Sequence, residues 1–379
     1  MIKSQLEYVK RWSQSQVNTN RGENHMKKYR VAIVGLGRIG STLDMSVANA
    51  CKNSERLDVV AGSDILSDRR KNFESTWGIK STYENYQEMI DRENPDIVAV
   101  CTTATGLPKP GNKAPNREFK DDSHAEITIF AANAGVPMLY VEKAIACSPT
   151  NLDKILESCK NNKTIVNTGT LMRFDQRFNL VKEAIEKGEI GQPTHAVAYT
   201  RSNTLMHMHI HSMDTLSYLL GDPGIISVRG ELLPRNVTVS DNRLDEDPKS
   251  SYHIRFANEV EAWSIPAGPR DFEIIGTEGT IRAMNQGTGA IYRKSDTYDV
   301  TGTGWFETRL PDYPQQEPTL TCMEDLVESY ETGKTPISGK IDVIHNLTEA
   351  CLAVAESHRN GGSWIDLPMS NRELYVFHV

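Results

Sequence analysis

The sequence predicts an α/β domain with a parallel sheet covered on both faces, followed by an α+β domain with an open, mostly antiparallel sheet. Three observations carry this. Apolar runs alternate with helical patterns from residue 29 to 168. The runs are apolar throughout, as strands buried on both faces are. Beyond about residue 170 the segments alternate in polarity residue by residue, with turn residues between them, which marks half-buried antiparallel strands. The expected organisation is an N-terminal extension at 1–26, a first domain at 27–170 and a second at 171–379. The C-terminal helix is expected to pack back on the first domain.

In order, "YRVAIVG" reads as a buried strand and "RIGSTLDMSVANAC" as one helix with Ile39, Leu43, Val47 and Ala50 on a single side. "LDVVAGSD" is a second strand, "RRKNFESTWG" a helix stopped by Gly78, "YENYQEMIDR" a further helix and "PDIVAVCTT" a strongly apolar strand. "DSHAEITIFAANAG" is a helix capped by Asp122 or Ser123, with Gly135 just past its end. "VPMLYVEKA" and "KTIVNTGT" close the parallel set. In the second part, "QPTHAVAYTRS", "IISVRGELL", "SSYHIRFANEVEAWSI", "RDFEIIGTEGTIRAM" and "GAIYRKS" read as strands. Helices follow at about Leu320 to Thr332 and Asp342 to Arg359.

Apolar residues make up 38% and charged residues 24% of the chain, as in ordinary globular proteins. The net charge of −8 argues against general nucleic-acid binding, and no apolar run approaches the ~20 residues of a membrane span. The opening segment lacks the apolar block of a secretory signal; Ile2, Leu6, Val9 and Trp12 give it a weakly helical pattern. The six cysteines form no C-x-x-C pair and lie in apolar segments, which fits a reducing cytoplasm.

"VAIVGLGRIGST" carries G-x-G-x-x-G at Gly35, Gly37 and Gly40, directly after a strand and opening a helix. In that context the first glycine permits a tight turn, the second a close backbone approach to a pyrophosphate, and the third close helix–strand packing. The loop Gly35, Leu36, Gly37, Arg38, Ile39, Gly40 is therefore a candidate dinucleotide site of the Rossmann type. Asp64 ends the second strand 24 residues past the last glycine, where a carboxylate accepts from ribose hydroxyls and repels a 2′-phosphate. The expected cofactor is NAD rather than NADP, although Arg69 and Arg70 would hold a 2′-phosphate if they folded back.

"YVEKAIACSP" places Glu142 and Lys143 at the carboxyl end of a strand, where parallel sheets open onto their ligand. With "CTTATG", "DSHAEITIFAANAG", "LMRFDQRFNLVKEAIEKGEIGQPTHAVA", "EIIGTEGTIRA" and "HRNGGSWIDLP", the chain resembles the Gfo/Idh/MocA family of sugar and polyol oxidoreductases over about residues 28 to 368. The resemblance implies that Thr102, Thr103, His124 and Glu142 contact the cofactor and that Lys143 faces substrate. The family's Glu-Lys-Pro motif is Glu142-Lys143-Ala144 here, and the lost proline is expected to shift the lysine slightly.

"LMHMHIHSMD" admits three readings: a metal site of His207, His209 and His211 on one face of a strand, packing histidines, or one wall of an active site. The resemblance favours the wall. It implies an H-x-x-D pattern, His211 to Asp214, at the start of a helix, with His211 catalytic. His207 stands where the family carries an aspartate, so His211 is expected to be a weaker base. His207, Asp214 and Arg173 are candidate substrate contacts, Arg173 alternatively forming an ion pair between domains. His209 is expected to point into packing, and no metal is expected.

The stretch between Thr103 and His124 is longer by about 15 residues than the family's usual connection, as lids and binding loops are. This suggests a glycoside, with C3 of a glucoside as the expected site of oxidation. Lys143 would polarise the reacting oxygen and His211 relay its proton. The alternatives are an enzyme that holds NAD tightly and cleaves or eliminates after transient oxidation, and a non-catalytic nucleotide-binding protein. A small-molecule sugar or glycoside and further copies of the chain are the expected partners.

Overall fold

The computed structural model describes residues 27–103, 122–201, 204–295, 305–310 and 317–378. The opening segment and the long connection at 104–121 lie outside these residues. Strands β1 (Tyr29–Val34), β2 (Leu57–Ser63), β3 (Thr82–Tyr83), β4 (Ile97–Val100), β5 (Met138–Val141) and β6 (Ile165–Thr168) form a parallel sheet in the order β3-β2-β1-β4-β5-β6. Every residue of β4 and β5 is buried, as strands covered on both faces must be. Their cover comes from α1 (Val47–Lys52), α2 (Ser67–Trp77), α3 (Tyr86–Glu93), α4 (Ser123–Asn133) and α5 (Pro149–Asn162). Gly78 stops α2 in the left-handed region at φ 73°, and Asp122 caps α4 by accepting from the Ala125 N–H.

The single helix expected after the glycine loop is broken in two. One π-type turn covers Arg38–Thr42, Leu43 is extended, and α1 begins afresh behind Ser46, whose side chain accepts from Asn49. Side chains compete with the helical ladder here. The Ser41 hydroxyl donates to Leu36 O and the Asn49 amide to Asp44 O. The turn still leaves its first N–H groups at its open end.

The second part contains α6 (Gln176–Glu186), β7 (Pro193–Tyr199), α7 (Leu205–Leu219), β8 (Ile225–Leu233), β9 (Arg243–Leu244), β10 (Lys249–Phe256), β11 (Glu261–Ile265), β12 (Asp271–Gly276), β13 (Gly279–Met284), β14 (Gly289–Ser295), β15 (Trp305–Arg309), α8 (Pro318–Thr332), α9 (Ile341–Arg359), β16 (Ile365–Asp366) and β17 (Tyr375–Val376). Nine strands form an open sheet in the order β15-β14-β13-β12-β7-β11-β10-β8-β16. Its pairs are antiparallel except β7 with β11. β17 pairs with β9 in a separate two-stranded sheet.

One face of the large sheet packs on α7 and α9 in a core that includes Met213, Leu216, Ile254, Phe272 and Leu352. Each such fully buried side chain contributes roughly 1.5–3 kcal/mol. α8 returns to the parallel sheet, where Cys322, Met323, Leu326 and Val327 pack with Tyr29, Ile33 and Tyr140. The last long helix, α9, bridges both parts. Its Ile344 joins the core of the first sheet, while Ala350 to Ala355 join that of the second. All six cysteines are free and buried.

Candidate active site

The carboxyl ends of β1, β4 and β5 lie side by side in the sheet, on the edge where parallel sheets form their ligand crevice, and the glycine loop follows β1. Gly35 has φ 92°, and a Cβ there would meet the Cys101 carbonyl carbon at 2.6 Å; a Cβ on Gly40 would come within 2.0 Å of Gly35 O. Both positions thus require glycine, and the loop draws tight against β4 as a pyrophosphate cradle must. Asp64 stands behind it with both oxygens engaged. Oδ2 accepts from the Leu36 N–H at 2.9 Å, and Oδ1 accepts from the Leu66 N–H at 2.9 Å. Arg69 folds back to 3.3 Å from Oδ2 and lies over Gly37, while Arg70 donates to Asp64 O. The residues present fit a bound dinucleotide, with Arg69 as the side chain that would have to make room.

At the end of β4, the hydroxyl of Thr102 lies 2.8 Å from that of Ser123, and the buried hydroxyl of Thr103 has no partner among the described residues. His124 does not offer its ring to the crevice. Its Nε2 lies 2.7 Å from Thr102 O and its Nδ1 2.8 Å from Ala144 O, so the imidazole ties β4 to the segment after β5. Glu142 is also turned inward. Tyr140 donates to it at 2.5 Å, and its carboxylate fills the space beside Gly169.

Lys143 is buried at the end of β5 and reaches the histidine helix. Its Nζ lies 3.2 Å from both Nδ1 and the carbonyl oxygen of His207. Burial lowers its pKa from the ordinary lysine value, Arg270 adds to the lowering, and Glu142 and Asp247 oppose it.

All three histidines of "LMHMHIH" lie within α7, which starts six residues before the helix start expected at His211. The strand geometry of the metal reading is therefore absent. On a helix, residues four apart share a face, whereas the residue between them does not. His207 and His211 face Lys143, and His209 is fully buried behind them. His209 Nε2 lies 2.8 Å from Ser250 O and its Nδ1 3.2 Å from the Ser212 hydroxyl, and burial pushes its pKa down to about 4. Among the described residues, no group of three or more His, Cys, Asp or Glu side chains is placed to hold a metal ion.

His211 is half-buried, and among the described residues its ring nitrogens make no hydrogen bond. Burial first, then the neighbouring Lys143, Arg270 and His207, hold its pKa well below the usual imidazole range. Its protonated form is therefore disfavoured, and Lys143 is one of the charges that disfavour it.

Arg173 and Asp214 are not at the candidate site. Arg173 is fully buried; its Nε donates to Asp214 at 2.7 Å, and both terminal nitrogens donate to Asp222 at 2.8 Å. A buried guanidinium needs such carboxylates, and the pair locks the turn at Leu171–Phe174 to α7. The reading of these two residues as substrate contacts is corrected to this structural role.

Three site residues escaped the sequence reading. Asp247 precedes β10 and accepts the N–H groups of Met206 at 2.7 Å and His207 at 2.9 Å, so it caps α7, whose own Thr204 does not. It also supplies a negative charge to Lys143. Arg270 follows β11 and lines a pocket of about 440 Å³ with Thr200, Arg201, Pro269, Asn285 and Gln286. His378 lies beneath Lys143. Only its place near the chain end was visible in sequence; nothing local signals its position.

Residues 29–170 match the family model GFO_IDH_MocA, described as "Oxidoreductase family, NAD-binding Rossmann fold". The chain is 27% identical over 356 residues to scyllo-inositol 2-dehydrogenase (NAD(+)) of Bacillus subtilis, covering 88% of this chain and 94% of that enzyme. It is 27% identical over 207 residues to myo-inositol 2-dehydrogenase of Thermotoga maritima, which covers 51% of this chain and 55% of that enzyme. Among solved structures, levoglucosan dehydrogenase in complex with NADH and levoglucosan has the same fold, with a TM-score of 0.69 at 17% identity, covering 90% of this chain and all of that one. Aldose-aldose oxidoreductase from Caulobacter crescentus likewise aligns with a TM-score of 0.69 at 20% identity, over 90% of this chain and all of that one.

Proposed function

We propose, from the premise that residues 29–170 are the NAD-binding domain of a Gfo/Idh/MocA-family oxidoreductase, that Lys143 and His211 assist the oxidation, by bound NAD, of a secondary ring hydroxyl of a cyclic polyol or sugar. The chain is an NAD-dependent oxidoreductase acting on CH–OH groups. The observation that carries the residue roles is the His211 imidazole, which has no hydrogen-bond partner among the described residues and lies close enough to Lys143 for that residue's charge to lower its pKa. Bound NAD supplies the hydride acceptor. Lys143 donates a hydrogen bond to the substrate oxygen and stabilises the charge that grows there as the O–H bond breaks. His211 takes the hydroxyl proton, while the hydrogen on carbon leaves with its electron pair and a C=O bond forms. His207 holds the lysine head group in place, and Asp247 holds His207 through the backbone.

The relatives that span this chain support an inositol or similarly hydroxylated ring as substrate. The narrower expectation of a C3-oxidised glucoside rests on the connection at 104–121, outside the described residues. A panel of inositols, free pyranoses and glucosides, followed by NADH absorbance and by product mass, tests both. NADH accumulating with a product lighter by two hydrogens, on at least one ring polyol, is the expected result. No turnover across the panel in the presence of NAD would refute the proposal. Self-association is expected through the outer face of the nine-stranded sheet, where Trp263 stacks between His195 and His253; sedimentation would measure it.

A further inference from the structure

We infer that His378, the penultimate residue of the chain, is a positioning residue for Lys143, and that it replaces the restraint lost with the motif's proline. The inference rests on the assignment of Lys143 to the substrate site. His378 is fully buried, and its Nε2 lies 2.7 Å from Lys143 O and 3.0 Å from Ala144 N. One imidazole nitrogen thus meets both polar atoms of the peptide group that joins the lysine to the next residue. The N–H at 144 exists because alanine stands there, since a proline has none. An N–H buried without an acceptor costs about 1–3 kcal/mol, so the substitution calls for a partner at this point. In the neutral ring Nε2 either accepts from the Ala144 N–H or donates to Lys143 O. In both forms the buried Nδ1 has no partner among the described residues.

The segment around β17 holds this ring in place. β17 pairs with β9, the Val376 N–H donates to Cys147 O at 2.9 Å, and the Phe377 N–H donates to Leu244 O at 2.8 Å. The His378 ring then stands 5.9 Å from that of His207 and 6.4 Å from that of His124, centroid to centroid. His124 holds Ala144 O from the other side, at 2.8 Å. The lysine is thereby fixed at three levels: its head group by His207, its own peptide by His378, and the following carbonyl by His124.

Three variants test this, with thermal stability followed in each. His378→Phe keeps the volume of a ring but offers no nitrogen. His378→Gln offers a donor and an acceptor side by side. Ala144→Pro with His378→Phe deletes the N–H that would otherwise be orphaned. The activity-free readout is the pH dependence of Lys143 acylation by acetic anhydride, read by peptide mass. In His378→Phe the loosened lysine gains access to water, and its midpoint should rise by about one unit. His378→Gln should restore the midpoint to within a few tenths of a unit, and the double variant should recover most of the thermal stability that His378→Phe loses.

Turnover should fall about 10- to 100-fold in His378→Phe, as misplacement of a catalytic group does, with NADH affinity within about threefold of the wild type by fluorescence titration. An unchanged Lys143 midpoint in His378→Phe, or a double variant as damaged as the single one, overturns the inference. Absence of wild-type turnover on the polyol panel would instead defeat the proposed function and leave the acylation result standing.

Discussion

The glycine loop and the histidine helix carry the two halves of the candidate site, and they are specified at different ranges. Gly35 and Gly40 are demanded by backbone atoms at Cys101 and at Gly35 itself, so a short string of residues after a strand fixes the loop. Lys143 and His207 meet across 64 residues of chain, Asp247 reaches His207 across 40, and His378 reaches Lys143 across 235. A cradle for a common cofactor can be local because the backbone does the binding. A base and a donor tuned to one reaction are assembled from distant elements, because their pKa values depend on what the tertiary fold packs beside them.

The comparison sharpens most where α7 carries two histidines two residues apart. His211→Asn should lower turnover about 10²- to 10⁴-fold, the usual worth of a positioned base, while KM for the polyol changes far less. His209→Ala should leave turnover near that of the wild type and lower stability by roughly 1–3 kcal/mol, because it removes a buried ring bonded to Ser250 and Ser212. Equal losses of turnover in the two variants would erase the distinction between the faces of α7. On the other edge, Gly40→Ala should destabilise by roughly 1–3 kcal/mol through its contact with Gly35 O, and should weaken NAD binding in calorimetry; normal stability and affinity would contradict the tight-loop account.

The smallest expected effect is the most diagnostic of the electrostatics. Arg270 lowers the pKa of both His211 and Lys143. A nearby cation disfavours protonation, so its removal in Arg270→Gln raises both. The neutral His211 is then lost at a higher pH on acidification, and the Lys143 ammonium persists to a higher pH on alkalinisation. Both limbs of the kcat/KM profile should move upward, by less than about one unit, with little change at the optimum. Limbs that move apart or downward would show that Arg270 does not act on these groups through charge.

Much of the fold was legible, since buried parallel strands and alternating antiparallel ones have different periods. The conformation of the glycine loop, the place of Lys143 after β5 and the separation of His209 from His211 were legible too. The break after Thr42 was not, because Ser41 and Asn49 divert hydrogen bonds from a helix whose apolar spacing looks continuous. Arg173 and Asp214 looked like site residues because charge near a catalytic motif reads the same whether it faces substrate or a buried partner. Asp247, Arg270 and His378 carry no local signal. Each lies in a connection or near the chain end and acquires its role through tertiary contact alone.

The measurement that reaches the central claim most directly is NADH formation by wild-type and Lys143→Met protein at saturating NAD, on the ring polyol that the panel selects, with NADH affinity measured alongside. If Lys143 carries the charge that develops on the substrate oxygen, turnover should fall by about 10³-fold while NADH affinity stays within about threefold. A Lys143→Met enzyme that turns over at the wild-type rate would place the chemistry elsewhere.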